Sequence, residues 1–347
     1  MADIGIAVVG AGYWGPNLVR NFAAADGCEV RWVCDLDHDR AARLADRFGV
    51  EKVTSDLADV LADPSVRGVA IATPARTHAG IAAACIDAGK DVLIEKPLAD
   101  TLAAGEAMVG KAEDAGVVLM TDHTFCYTSS VRHIRDLIRD GDLGAFRYYD
   151  SVRINLGLVQ ADVDVIWDLA PHDLSILDFI LPDNVQPVSV AAQGSDPLGV
   201  GHACIAYVTI EMSDGAIAHM HLNWLSPVKV RSVMIGGSDR MLVWDDINPA
   251  QRLSIYDAGA RVGDLSEPMR REALVSYRIG DMVAPALRET EALGLVAAEF
   301  LTAIETRNPP ETDGRAGLRV LELLDAASRS LEAGGRPIEL ETGNEET

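Results

Sequence analysis

An apolar run, Ile4-Gly5-Ile6-Ala7-Val8-Val9, leads straight into Gly10-Ala11-Gly12-Tyr13-Trp14-Gly15 and then into a helical stretch through Ala24. A nearly uninterrupted apolar strand suits the centre of a parallel sheet, buried on both faces. The G-x-G-x-x-G spacing lets the backbone turn tightly and approach a pyrophosphate. The helix that follows offers amide donors and the positive end of its dipole. Pro16 is tolerated because it falls in the helix's first turn. A second strand, Val30 to Cys34, ends in Asp35, twenty residues after Gly15. A carboxylate at that spacing meets the adenosine ribose hydroxyls. It would also repel a 2′-phosphate, so the sequence predicts NAD(H) rather than NADP(H). The competing reading makes Asp35 a turn residue or a helix cap. Arg40 and Arg43 read as a solvated helix face rather than as phosphate ligands.

Alternation of strand and helix continues. Helices are expected over 39–48, closing at Gly49, over 56–62, over 78–88 and over 102–115. Strands are expected over 68–72, over 92–95 and over 117–120. This pattern means a doubly wound parallel sheet. Open sheets of that kind place ligands at the carboxyl ends of their strands. Thr73-Pro74 and Glu95-Lys96-Pro97 both fall at such ends. Lys96 therefore sits on a stiff turn, because Pro97 fixes its own φ and restricts its neighbour. His78 reads as a first-turn helix residue on the cofactor side, not as a catalyst.

The rhythm changes after Asp122. A helix over 131–139 precedes a long strand over 145–155. A further helix is followed by strand-like runs at 188–192, 202–212, 216–224, 230–235, 241–244 and 253–256. Ser213-Asp214-Gly215 and Gly236-Gly237-Ser238 read as hairpin turns. Two helices, over 290–305 and 314–331, finish the chain. The fold class is therefore α/β: an N-terminal Rossmann doubly wound parallel sheet and a C-terminal α+β domain with a large, mostly antiparallel open sheet. At 347 residues the chain exceeds what one core supports. The expected boundary lies at 122/123, with the last helices packing back on the first domain.

A net charge of −23 argues against nucleic-acid or anionic-membrane partners, which require a basic footprint. The five cysteines are scattered and lack C-x-x-C spacing, which suits reduced thiols in a cytoplasmic protein. No basic n-region and no apolar run of membrane-spanning length are evident.

A second constellation begins at Ile166-Trp167-Asp168-Leu169-Ala170-Pro171-His172. Asp168 and His172 are four apart, so on a helix they share a face. A histidine beside a carboxylate is a general acid/base candidate. The alternative is a capping aspartate with a structural histidine. Substrate contacts are expected from Tyr149, Arg153 and Asn155 on the long strand, from Trp224 and Lys229, and from the loop before the Asp168 helix. Solvated or subunit-facing sheet residues are the other reading of these positions. His219 and His221 share a strand face but lack a third ligand, so no metal is expected.

Taken together, the GAGYWG turn, Thr73-Pro74, Glu95-Lys96-Pro97 and Asp168-x-x-x-His172 resemble the glucose–fructose oxidoreductase/inositol dehydrogenase/rhizopine catabolism (Gfo/Idh/MocA) family over nearly the whole chain. The resemblance implies hydride transfer between nicotinamide and a ring hydroxyl or ketone of a sugar or cyclitol, with Lys96, Asp168 and His172 at the catalytic positions. It also implies cofactor contacts from Gly10, Gly12, Tyr13, Trp14, Gly15, Asp35, Thr73, Pro74, His78, Glu95, Lys96, Pro97 and the position of His123, where many members carry Asn. Lys96, Asp168 and His172 would touch the substrate as well. Alternatives within the resemblance are a ketoreductase of a nucleotide-linked sugar and an NAD-dependent glycoside hydrolase. A non-catalytic NAD-sensing protein is disfavoured by the presence of both Lys96 and His172. A homodimer or homotetramer is expected, since a large open sheet leaves a face to bury.

Overall fold

The computed structural model describes residues 3–157, 159–160, 163–262, 275–278 and 280–341. The chain divides into two compact units, residues 1–128 with 289–322, and residues 129–288 with 323–347.

The first unit begins with β1 (Ile4–Val9), α1 (Gly15–Ala23), β2 (Cys28–Cys34), α2 (His38–Phe48), β3 (Lys52–Thr54) and α3 (Leu57–Ala62). It continues with β4 (Val66–Ile71), α4 (His78–Asp87), β5 (Asp91–Glu95), α5 (Leu102–Ala115) and β6 (Leu119–Asp122). The six strands are parallel, in the order β3-β2-β1-β4-β5-β6. Order reverses between β1 and β4, the switch point at which such sheets open a crevice. Every residue of β1 is buried, as its apolar run requires. Helix starts follow local chemistry: Asp37, Asp56 and Thr101 each accept a backbone amide of the first turn. Gly49 and Gly116 close α2 and α5 in the left-handed conformation.

One strand is displaced from its expected place. The apolar run at 117–120 predicted β6, yet the strand spans Leu119–Asp122 and ends on two buried polar residues. Pairing with β5 carries it on, because Ile94 and Glu95 face Thr121 and Asp122 across the ladder.

The second unit contains α6 (Ser129–Arg139), β7 (Phe146–Leu156), α7 (Val165–Ile180), β8 (Pro187–Ser195), β9 (Ile205–Met212), β10 (Ile217–Asn223), β11 (Leu225–Gly237), β12 (Met241–Asp245) and β13 (Leu253–Tyr256). A separate two-stranded ribbon pairs β14 (Gly259–Val262) with β15 (Val275–Arg278). After β16 (Met282–Val283) come α8 (Ala292–Thr306), α9 (Gly314–Glu332) and β17 (Ile338–Glu339). The large sheet has nine strands in the order β16-β13-β12-β11-β7-β10-β9-β8-β17. Its pairs are antiparallel except β7 with β10. Both expected hairpin turns are present, between β9 and β10 and between β11 and β12. Alternation is clean: Ala218, Met220 and Leu222 of β10 are fully buried beneath α7, while Ile217, His219 and His221 face the other way.

Helix α8 returns to the first unit, where Phe300 packs edge-on against Phe22 of α1. A side chain at Gly68 would collide with Phe300 and Ile304, so glycine there lets α8 lie close on β4. Within the second unit, Ser330 near the end of α9 accepts the Ala192 amide of β8.

Candidate functional site

In the first unit the candidate residues gather at strand carboxyl ends. Gly10 has φ 101°, and a Cβ there would come within 2.5 Å of the Ala72 carbonyl. At Gly15 a Cβ would meet the Gly10 carbonyl at 2.1 Å. These two glycines serve tight packing. Gly12 differs, since a Cβ there would meet nothing within 4 Å. Its backbone borders open space, as a turn meant for close approach by a ligand requires. Helix α1 has no side-chain cap, so its first amides are not consumed by the protein's own side chains. Tyr13 and Trp14 stand exposed on the turn, with ring centroids 5.7 Å apart.

Asp35 directly follows β2 and braces this turn. Its Oδ2 accepts the Ala11 amide at 2.7 Å and its Oδ1 accepts the Asp37 amide at 2.8 Å. An ionised carboxylate offers about four lone-pair sites, so acceptor capacity remains for ribose hydroxyls. Arg40 lies 3.9 Å from Asp35 and 3.2 Å from Asp37, which ties it to acidic partners. Leu36, beside Asp35, is 94% exposed. Sequence reasoning passed over it; the only signal was an apolar residue placed in a turn. These residues fit a dinucleotide with a free ribose diol.

His78 joins the two turns that follow. Its Nδ1 lies 2.9 Å from the Pro97 carbonyl and its Nε2 lies 2.8 Å from the Thr73 carbonyl. Burial lowers its pKa, and the neutral ring has one N–H to donate to either carbonyl. His78 thus sits between Thr73-Pro74 and Glu95-Lys96-Pro97, hydrogen-bonded to one turn and packed against the other. Thr77 adds a hydroxyl bond of 2.7 Å to Thr73.

Beneath Lys96 lies a buried polar cluster. Glu95, Asp122 and His123 are 7%, 1% and 2% exposed. The two carboxyls are hydrogen-bonded, and burial, then the charge of Asp122, raises the Glu95 pKa well above the carboxylate range. Thr124 donates its hydroxyl to Asp122 Oδ1 at 2.7 Å. Burial first, then the charges of Lys96 and Arg319, lower the His123 pKa to about 3. Its ring is therefore neutral, and neither nitrogen has a hydrogen-bond partner.

In the second unit the candidate residues gather at the start of α7. Asp164 is the cap, accepting the amides of Ile166 and Trp167 at 2.9 Å each. Asp168 therefore is not the capping residue and is left for another task. Its Oδ2 accepts the indole N–H of Trp224 at 2.9 Å. Trp224 is buried; its amide donates to the Cys204 carbonyl, and its own carbonyl accepts the Gly157 amide. His172 follows Asp168 by one helical turn, and its carbonyl accepts the Ser175 hydroxyl. Asn155 reaches the same region, since a Cβ at Gly157 would lie 3.0 Å from its side-chain amide and 3.4 Å from Trp224. His202, missed in the sequence, packs edge-on against Trp224 at 6.1 Å. In the sequence it opens the strand-like run 202–212, whereas β9 begins at Ile205 and His202 lies in the loop before it. Residues 158, 161 and 162 of the expected substrate loop lie outside the described residues.

Tyr149 and Arg153 have a different placement from Asn155. Both are buried against α7, where the Tyr149 hydroxyl donates to the Asp173 carbonyl and Arg153 forks onto the Asp173 carboxylate at 2.8 and 2.9 Å. Trp224 is likewise buried, whereas Lys229 is exposed. His219 and His221 lie on the opposite sheet face, stacked against Tyr207.

Comparison with known proteins agrees with this geometry. Residues 4–123 match the oxidoreductase family with an NAD-binding Rossmann fold, and residues 131–243 match the GFO/IDH/MocA C-terminal domain. The chain is 29% identical to UDP-N-acetylglucosamine 3-dehydrogenase of Acidithiobacillus ferrooxidans, covering 92% of this chain and 95% of that one. It is 24% identical to myo-inositol 2-dehydrogenase of Thermotoga maritima, covering 94% and 96%. Among solved structures, GenD2 from gentamicin A biosynthesis in complex with NAD superposes with a TM-score of 0.81 at 27% identity, covering 98% and 97%. The chain belongs to the Gfo/Idh/MocA family of oxidoreductases, with an NAD-binding Rossmann domain at its N-terminus.

Proposed function

We propose that this oxidoreductase moves a hydride between NAD(H) and a ring carbinol carbon of a sugar or cyclitol. The observation that carries the reading is the Asp35-braced glycine turn, open at Gly12, on the same sheet whose β5 presents Lys96. When bound, the nicotinamide ring supplies the site that accepts or returns hydride. Gly10, Gly12 and Gly15 shape the pyrophosphate turn, Asp35 takes the ribose diol, and Leu36 offers apolar surface next to it. Lys96 hydrogen-bonds the reacting oxygen and stabilises developing alkoxide charge. His172 takes the hydroxyl proton as general base. Asp168, held by the Trp224 indole, orients His172 on its helix face. Asn155 contributes to the substrate set. Tyr149 and Arg153 act as braces for α7, because their polar groups are committed to Asp173.

Nicotinamide fluorescence with NAD and a paired panel of free polyols and nucleotide-linked sugars tests the reading. NADH formed from inositols or free hexoses supports it. Silence with both groups in both directions, with glycoside release instead, overturns it in favour of hydrolysis. Similarity to a UDP-sugar dehydrogenase supports a second reading, in which the substrate is nucleotide-linked; signal confined to those sugars selects it.

Apolar side chains among the polar ones on the outer face of the nine-stranded sheet support self-association. Val152, Ile154, Tyr207, Ile217 and Met234 are solvent-accessible on it, and such a face is costly to leave wet. Light scattering on the purified chain should give a dimer or tetramer; a monomer at micromolar concentration removes this element. All five cysteines are free thiols, which supports a reducing, cytoplasmic setting. Among the described residues no helix is long and apolar enough to cross a membrane.

A further inference from the structure

Two acidic side chains at the ends of adjacent parallel strands are register partners. Glu95 ends β5, Asp122 ends β6, and both are buried. As a pair of ionised carboxylates they would place two like charges side by side in a water-excluded site, which a protein interior does not sustain. The orphaned atom points the same way: Asp122 Oδ1 is satisfied by Thr124, but Oδ2 is buried and lacks a conventional donor. A proton on Glu95 supplies one. The charge of Lys96 acts on both carboxyls, while His123, the residue after Asp122, is neutral and feels Lys96 and Arg319 of α9.

We infer that Glu95 and Asp122 share one proton and act as a dyad of a single negative charge, the counter-charge that keeps Lys96 an ammonium. Glu95 is the neutral donor and Asp122 the acceptor. Both are positioning residues: they touch neither the substrate nor the reacting carbon and work through Lys96. The inference builds on the role proposed above for Lys96, yet the protonation state is measurable without any turnover.

The chain has only five lysines, so Lys96 is traceable by NMR in protein labelled at lysine Cε, with Lys96→Met giving the assignment. Infrared spectra at pH 8 should show the carbonyl stretch of one neutral carboxylic acid in the native chain. It should vanish in Glu95→Gln and in Asp122→Asn, because either single amide leaves one carboxylate, now ionised, hydrogen-bonded to the amide. Those single variants should keep the Lys96 titration near its native midpoint. The double variant Glu95→Gln/Asp122→Asn should lower that midpoint by about one to three pH units, the usual effect of removing a nearby opposite charge. A native spectrum without the neutral band overturns the dyad, as does a band that survives in both single variants. An unmoved Lys96 midpoint in a folded double variant overturns its role as counter-charge. Success of these readouts alongside silence toward every sugar would sink the proposed reaction and leave the dyad standing.

Discussion

Replacing Lys96 by Met keeps the stem's length and removes three donors and a charge. Turnover should fall roughly 10²–10³-fold, the usual loss for one donor aimed at a developing oxyanion. NADH affinity, read by fluorescence titration, should stay near native; undiminished turnover would end the assignment. Trp224→Phe is a finer probe, since it deletes the indole donor to Asp168 and retains most of the buried ring. One such bond contributes on the order of 1 kcal/mol, so turnover should fall up to about tenfold with NADH binding unchanged. At this scale legibility was uneven. Lys96, Asp168 and His172 stood out because their spacing matched a family pattern. His202 had no such signal, because a lone histidine at the start of a strand-like run looks the same whether or not it packs on a tryptophan. Asp168 could have been a cap on spacing alone, and the backbone gave that task to Asp164.

At the scale of elements, α7 is held by two devices of unequal weight. Asp164→Ala removes its cap and should cost about 1 kcal/mol in denaturant unfolding. Arg153→Met leaves Asp173 buried and charged without its partner, and should cost roughly 3–5 kcal/mol. Adding Asp173→Leu should recover much of that loss, because no unpaired charge then remains; no recovery would mean that the ion pair is not what Arg153 contributes. The strand holding Arg153 was legible as a strand, and Arg153 and Asn155 do share a face. Which end of that face is open was not legible, because burial depends on α7 lying over one part of the strand and not over the other.

For the whole molecule the buried histidine sets a pH dependence. His123 has a folded pKa of about 3, against an ordinary value of 6.5. Between these values the unfolded chain binds a proton that the native chain refuses, so this contribution to stability is complete above pH 6.5 and is lost as pH falls toward 3. The slope is about 1.4 kcal/mol per pH unit. Glu95 contributes with the opposite sign, because its native carboxyl holds a proton that the unfolded chain releases. The quantity to measure is therefore the difference in unfolding free energy between the native chain and His123→Asn. That difference should shrink steadily from pH 6.5 downward; a flat difference would mean that His123 is not held neutral.

Local pattern alone settled much of this protein. The apolar run of β1 and the three glycines after it leave the backbone few options, and alternation of strand and helix leaves a parallel sheet as the way to bury both. The same pattern placed Asp35, Thr73 and Lys96 at strand ends, where ligands bind. Tertiary structure decided what pattern cannot carry. It extended β6 to Asp122 by pairing it with β5, and so set a second carboxyl against Glu95. It buried Arg153 under α7 and brought Trp224 across the sheet to Asp168. In each case residues distant in sequence decided the outcome: a pairing strand for β6, a covering helix for Arg153 and an indole donor for Asp168. Periodicity reports which face a side chain takes; how deeply that face is covered depends on the rest of the fold.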